Sequence, residues 1–309
     1  RNGLGKEQIL DSLKKKHSIT LMDWEGEKTV QASTMDSLQH YMKFLNTGSL
    51  SIDPSTGAVK TWIGGVNFKY FKYDHISQSK RQVGSTFKPI VYTAAIEKGI
   101  APCTYFSAQE VSYDNLEGWS PSNSGDTDET YLNYSMEQAL SNSINTVAVK
   151  VLEETGIPNV ITQAKKMGIS SNLPKLPSLA LGTAEIKINE LIGAYASYVN
   201  YGKPVTPFTI SHIANNKDSI LAKFQPKVAK EPAFSKETGM FMLEMMKATV
   251  DNGTAARIRN RYNLPNAIAG KTGTTQNNKD AWFVGITPKL VSITWVGLDT
   301  YEIGFKSTS

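Results

Sequence analysis

Cysteine is almost absent: Cys103 stands alone in 309 residues, which excludes a disulfide framework and any cysteine-based zinc site. The 4 histidines, at positions 17, 40, 75 and 212, lack ligand spacing, so neither a metal nor a cofactor is expected. No apolar run is long enough to span a bilayer, and Arg1 to Ile9 lacks the apolar stretch and cleavage site of a secretory signal. Internal repeats and low-complexity tracts are also missing. A large excess of either charge is lacking too: 33 basic against 28 acidic side chains leave a formal +5. The basic clusters Lys14-Lys15-Lys16 and Arg257-Ile258-Arg259-Asn260-Arg261 read as solvated faces, and no nucleic-acid partner is expected.

What is present fits a folded globular chain: 40% hydrophobic residues with 23 Gly and 13 Pro, enough for one large domain or two closely packed subdomains. Residues 1–48 are polar and lysine-bearing, expected as a linker or peripheral segment ahead of a main domain over 49–309. Leu50-Ser51-Ile52 and Ala58 to Ile63 flank Asp53-Pro54-Ser55-Thr56-Gly57, a turn between two alternating runs that predicts a β-hairpin. From Gly84 the period becomes helical: Phe87, Ile90, Val91 and Ala94 share a face before Gly99, Ser135 to Gln138 has capping-box spacing, Thr146 to Thr155 stops at Gly156, and Ile188 to Tyr201 stops at Gly202. A Met-rich helix follows at Lys236 to Val250, and Ala267 to Thr275, Ala281 to Ile286 and Leu290 to Leu298 read as adjacent antiparallel strands. The expected fold is α/β (α+β): an antiparallel sheet drawn from about 49–70 and 204–309, flanked by helices, with an inserted all-helical lobe over about 84–203 and a cleft between the lobes.

Three short motifs carry chemistry. Gly84-Ser85-Thr86-Phe87-Lys88-Pro89 opens the first strong helical run, and Pro89 places the helix start near Ser85. The Ser85 hydroxyl then lies near the positive end of the helix dipole with Lys88 one turn on, and a lysine shielded from water moves toward the neutral form that can take the serine proton. The pattern alone is weak, with roughly two chance matches expected in such a chain; Ser12 to Lys15 and Ser77 to Lys80 match equally well. Ser143-Ile144-Asn145 lies between two predicted helices, where a cap is the ordinary role and proton relay with substrate orientation the chemical one. Gly270-Lys271-Thr272-Gly273-Thr274-Thr275 reads as a strand whose glycines admit a ligand's backbone and whose Lys and Thr side chains suit a carboxylate, or as an edge strand guarded by lysine.

Taken in order, Ser-x-x-Lys, Ser-x-Asn and Lys-Thr-Gly form the signature of penicillin-binding proteins and serine β-lactamases. From about Leu50 onward the chain resembles the transpeptidase domain of bifunctional, class A penicillin-binding proteins. Ile52-Asp53-Pro54 with Gly57, Trp62-Ile63-Gly64-Gly65, Arg81-Gln82, Ala180-Leu181-Gly182, Gly253-Thr254-Ala255 and Asp280-Ala281-Trp282-Phe283 extend the match. The resemblance implies acyl transfer on peptidoglycan stem peptides ending in D-Ala-D-Ala, and acylation by β-lactams. Ser85 would be the nucleophile, Lys88 its base, Ser143 a proton relay and Asn145 a hold on the donor's side-chain amide. Lys271, Thr272 and Thr274, with Gly273 between them, would bind the terminal carboxylate, and the Ser85 and Thr274 N–H groups would form the oxyanion hole. Nothing in the chain resembles the membrane anchor or glycosyltransferase domain that class A members carry upstream. The chain starts without methionine, as an excised piece of a larger, membrane-anchored envelope protein would.

Three rivals share these features: a β-lactamase, for which Glu185 and Glu190 are the candidate water-activating carboxylates, a D,D-carboxypeptidase, and a non-catalytic β-lactam sensor or wall-binding module.

Overall fold

In the computed structural model, which describes residues 5–124, 132–300 and 304–306, the polar N-terminal stretch is folded. Helix α1 (Lys6–Lys14) leads into hairpin strands β1 (Lys16–Asp23) and β2 (Gly26–Ser33), and then into helix α2 (Thr34–Met42). Ser33 caps α2 by accepting from the Asp36 N–H, while the Asp36 carboxylate accepts from the Ser33 N–H. The segment buries little apolar surface of its own. Its anchor is aromatic: Trp24 stacks on Phe44, and Tyr41 and Phe44 meet Phe71 from a later loop.

Next come β3 (Asn46–Ile52) and β4 (Val59–Ile63), joined through the Asp53–Gly57 turn, where Asp53 Oδ1 accepts from the N–H groups of Ser55 and Thr56. They pair with three strands from the other end of the chain, β5 (Ala269–Thr274), β6 (Asp280–Thr287) and β7 (Leu290–Gly297), in one antiparallel sheet of order β5-β6-β7-β3-β4. The β7–β3 pairing sets Ile293 opposite Leu50 and Trp295 opposite Gly48. Alternation fixes the register: Trp282, Val284, Ile286, Val291, Ile293 and Trp295 all turn into the core. The stretch from 204 to 268 adds no strand to this sheet. It forms two small pairs, Val205–Thr206 with Lys227–Val228 and His212–Ala214 with Ile220–Lys223, whose apolar residues Ile213, Ile220 and Leu221 remain exposed.

The helical part comprises α3 (Lys88–Glu97), α4 (Met136–Ser141), α5 (Asn145–Thr155), α6 (Ile157–Lys166), α7 (Ile188–Ala196) and α8 (Lys236–Asp251). Every residue of α3 from Lys88 to Ala95 is buried, so this is a core helix without a polar face. It is packed by α5, α6 and α8, while α7 lies on β3 and β7. Among the described residues no helix is long and apolar enough to cross a membrane.

Candidate active site

The Ser85 turn is wedged between two other pieces of chain, and glycines make the fit. Gly84–Phe87 form a single 3-10 turn that runs into α3 with Pro89 in its first turn. Gly84 has φ +54, its N–H donates to Gly182 O at 3.0 Å, and a Cβ on it would lie 2.6 Å from Thr274 O. On the strand side, a Cβ on Gly273 would lie 2.7 Å from Thr86 Cγ2. Tyr195 of α7 donates its hydroxyl to Thr86 O at 2.7 Å and pins the turn from behind. The backbone of half-buried Ser85 therefore sits against the Gly273-Thr274 edge of β5.

Lys88 and Lys271 reach one point from opposite sides, and Ser143 is that point. Lys88 Nζ donates to Ser143 O at 2.6 Å, Ser143 Oγ at 3.1 Å and Asn145 Oδ1 at 2.7 Å. Lys271 Nζ donates to the same Ser143 Oγ at 3.0 Å and to Thr272 O at 3.0 Å. Ser143 adopts φ +60, a left-handed conformation unusual for serine, which turns both its carbonyl and its hydroxyl toward the lysines. Both lysines are 0% exposed, and the oxygens around them are neutral. Burial pushes the Lys88 ammonium well below its ordinary value, helped by repulsion from Lys271, and burial alone brings Lys271 down to about 7.

Lys88 Nζ makes its hydrogen bonds with Ser143 and Asn145, and none joins it to Ser85, the residue one turn before it. The Ser143-Ile144-Asn145 loop places three oxygens within hydrogen-bonding distance of the Lys88 amine. β5 is the edge strand of the sheet, with Lys271 opposite Val284 and Thr274 opposite Ala281. Thr272 Oγ1 lies 2.6 Å from Thr254 Oγ1, which brings Gly253-Thr254-Ala255 to the site. The Glu190 carboxylate accepts from Ser170 and Ser171 N–H groups, and Glu185 is exposed on the short strand opposite Gln82.

Two parts of the surroundings escaped sequence reasoning. Ser122 O accepts from Asn145 Nδ2 at 2.8 Å, and Asn123 Oδ1 accepts from the Asn145 N–H at 2.8 Å. The available signal was the apolar Ile144 at a helix start that needs a cap. Behind the site, Arg81 Nη2 lies 2.7 Å from Asp280 Oδ1, which also accepts from Trp295 Nε1 at 2.8 Å. Both residues were in the quoted motifs, but nothing local announces their pairing.

Comparison with known proteins gives this arrangement its class. The model of the penicillin binding protein transpeptidase domain matches residues 47–301, and that of the penicillin-binding protein middle domain matches 1–45. The chain belongs to the penicillin-binding protein transpeptidase family. Penicillin-binding protein 1A of Aquifex aeolicus (strain VF5) is 36% identical over 256 residues, covering 82% of this chain and 34% of that protein. The protein of the same name from Neisseria lactamica is 36% identical over 260 residues, covering 81% and 32%. The chain thus spans about a third of the length of these curated relatives. Among solved structures, penicillin-binding protein 1A from Haemophilus influenzae superposes with a TM-score of 0.80 at 24% identity, over 94% of this chain and 47% of that one. PonA1 from Mycobacterium tuberculosis in complex with penicillin V gives a TM-score of 0.69 at 24% identity, over 95% and 80%. These likenesses establish the fold.

Proposed function

We propose that this chain is a serine-type D,D-transpeptidase that cross-links peptidoglycan stem peptides ending in D-Ala-D-Ala and is acylated by β-lactams. The observation that carries the reading is Ser143 Oγ held between Lys88 Nζ at 3.1 Å and Lys271 Nζ at 3.0 Å, both lysines buried among neutral oxygens. A lysine in that position is a base at neutral pH rather than an ion-pair partner.

In this reading Ser85 Oγ attacks the carbonyl carbon of the penultimate D-Ala and gives its proton to neutral Lys88. The N–H groups of Ser85 and Thr274 take the oxyanion. The proton travels through Ser143 to the leaving nitrogen, the terminal D-Ala departs, and an ester to Ser85 remains. The amine of a neighbouring stem attacks that ester and gives up a proton, which Lys88 returns to Ser85 Oγ as the ester bond breaks, and the cross-link forms. Asn145 orients the donor's side-chain amide, and Lys271, Thr272 and Thr274 hold the terminal carboxylate along the β5 edge. A β-lactam substitutes for the donor: its ring amide opens on Ser85.

Glu190 weighs against a β-lactamase, since its carboxylate is committed to the Ser170 and Ser171 amides. The parent protein would act on the extracytoplasmic face of the bacterial envelope, with an anchor and a glycosyltransferase domain upstream. The test is exposure to fluorescent penicillin followed by intact-mass analysis and peptide mapping. One adduct on Ser85, lost in Ser85→Ala, is expected; a folded wild-type protein that takes no label contradicts the reading, and steady turnover of nitrocefin would make it a β-lactamase.

A further inference from the structure

A helix leaves its first N–H groups without intrahelical partners, and a Ser, Thr, Asp or Asn at the cap normally accepts from them. Helix α5 begins at Asn145, and its cap residue is Ile144, whose side chain can accept nothing. The preceding residue is a serine, but its hydroxyl is engaged by Lys88 and Lys271. The cap comes instead from 22 residues upstream. Asn123 Oδ1 accepts from the Asn145 N–H at 2.8 Å and the Thr146 N–H at 3.1 Å, and Asn123 Nδ2 donates to Thr146 Oγ1 at 3.2 Å.

The neighbouring residue holds the Asn145 side chain. Ser122 O accepts from Asn145 Nδ2 at 2.8 Å, which leaves Oδ1 facing Lys88 Nζ at 2.7 Å. A flipped amide would set Asn145 Oδ1 against Ser122 O, two acceptors with no hydrogen between them, so the Ser122 carbonyl favours the orientation with Oδ1 toward Lys88. Ser122 and Asn123 thus grip Asn145 by side chain and main chain together, and through it the loop that carries Ser143.

We propose that Asn123 is a positioning residue of the active site, capping α5 from a distant segment so that the serine beside the cap stays free for the two lysines and the Asn145 amide stays aimed at Lys88. The proposal rests on the transpeptidase reading for its catalytic consequence; the cap itself is independent of it. A misplacement of about 1 Å at such a site costs roughly a hundredfold in rate.

The experiment compares wild type, Asn123→Ala and Asn123→Asp by stopped-flow acylation with fluorescent penicillin, resolving non-covalent affinity from the acylation step, alongside Tm and amide hydrogen exchange at Asn145 and Thr146. In Asn123→Ala the acylation step falls about 10- to 100-fold, while non-covalent affinity changes by less than about threefold. Asn123→Asp keeps the accepting oxygen, so its acylation step stays within about threefold of wild type. A purely structural cap would lower Tm and leave the acylation step of the folded variant unchanged, and that result overturns the proposal. Should Asn123→Ala not fold, Asn123→Asp decides: a near-wild-type step supports the proposal, and a loss beyond about tenfold overturns it. If wild type itself takes no label, the transpeptidase reading fails while exchange judges the cap: faster exchange at Asn145 and Thr146 in Asn123→Ala supports it, and equal exchange overturns it.

Discussion

Among the described residues, arginine and lysine side chains are buried in two places and are treated in opposite ways. Arg81 is 8% exposed and meets a carboxylate, Asp280, itself 0% exposed; Nε and Nη2 both reach Asp280 Oδ1, and Nη2 also donates to Leu298 O. The other Asp280 oxygen accepts from Thr275 Oγ1 at 2.8 Å, and Trp295 lies 4.9 Å beneath the guanidinium. A buried pair so fully bonded locks together the strand entering Ser85, the turn leaving β5, and β7. Lys88 and Lys271 are as deeply buried, yet meet only hydroxyl, carbonyl and amide oxygens. With no counter-ion, burial lowers the hold of both amines on their protons and favours the neutral form, which is the base. Presence or absence of one carboxylate separates a structural cation from a reactive one.

Removing the reactive side should have the largest effect. Lys88→Met is expected to slow penicillin acylation of Ser85 by about a thousandfold or more while retaining the native circular dichroism spectrum; stopped-flow labelling reads it. Breaking the structural side inverts the pattern. Asp280→Ala strands Arg81 and should cost about 3–5 kcal/mol in chemical denaturation, with its rate loss arising only through a loosened Ser85 turn.

A third variant probes the cost of the unpaired cation. Lys271 titrates at about 7 in the folded protein against an ordinary 10.5, so between those values the unfolded chain binds more protons and the contribution of Lys271 to stability rises with pH. Lys271→Met should therefore raise Tm most at pH 7 and below, with the gain fading as pH approaches 10.5. The full swing is several kcal/mol at about 1.4 kcal/mol per tenfold. A Tm difference independent of pH over that window would show that Lys271 keeps its charge. The smallest effect is expected at the rim: Thr254→Val removes the partner of Thr272 and should slow acylation about fivefold, the worth of roughly 1 kcal/mol.

Much of this was legible in the chain because the signals are local. Alternation marked β6 and β7, Pro89 marked the start of α3, and the Ser135 box marked α4. Lys271 followed from its strand. What was not legible depends on meetings across long stretches of sequence. The choice by Lys88 of Ser143 and Asn145 over Ser85 is made by acceptors 55 and 57 residues away. Asn123 looks like an ordinary turn residue until α5 is seen to lack a cap. The N-terminal helices and hairpin escaped notice because their stripes are weak and their anchoring rings, Tyr41 and Phe44 against Phe71, come from segments that are separate in sequence.

The claim at the centre is that burial without a counter-ion discharges a lysine beside Ser143. Nitrogen NMR titration of the lysine Nζ groups in the folded protein measures it directly, with Lys88→Met and Lys271→Met supplying assignments. The account predicts an Nζ, lost from the spectrum of Lys271→Met, that releases its proton near pH 7 while exposed lysines hold theirs to about 10. If every Nζ titrates at or above 10, both buried lysines stay charged and the account is contradicted.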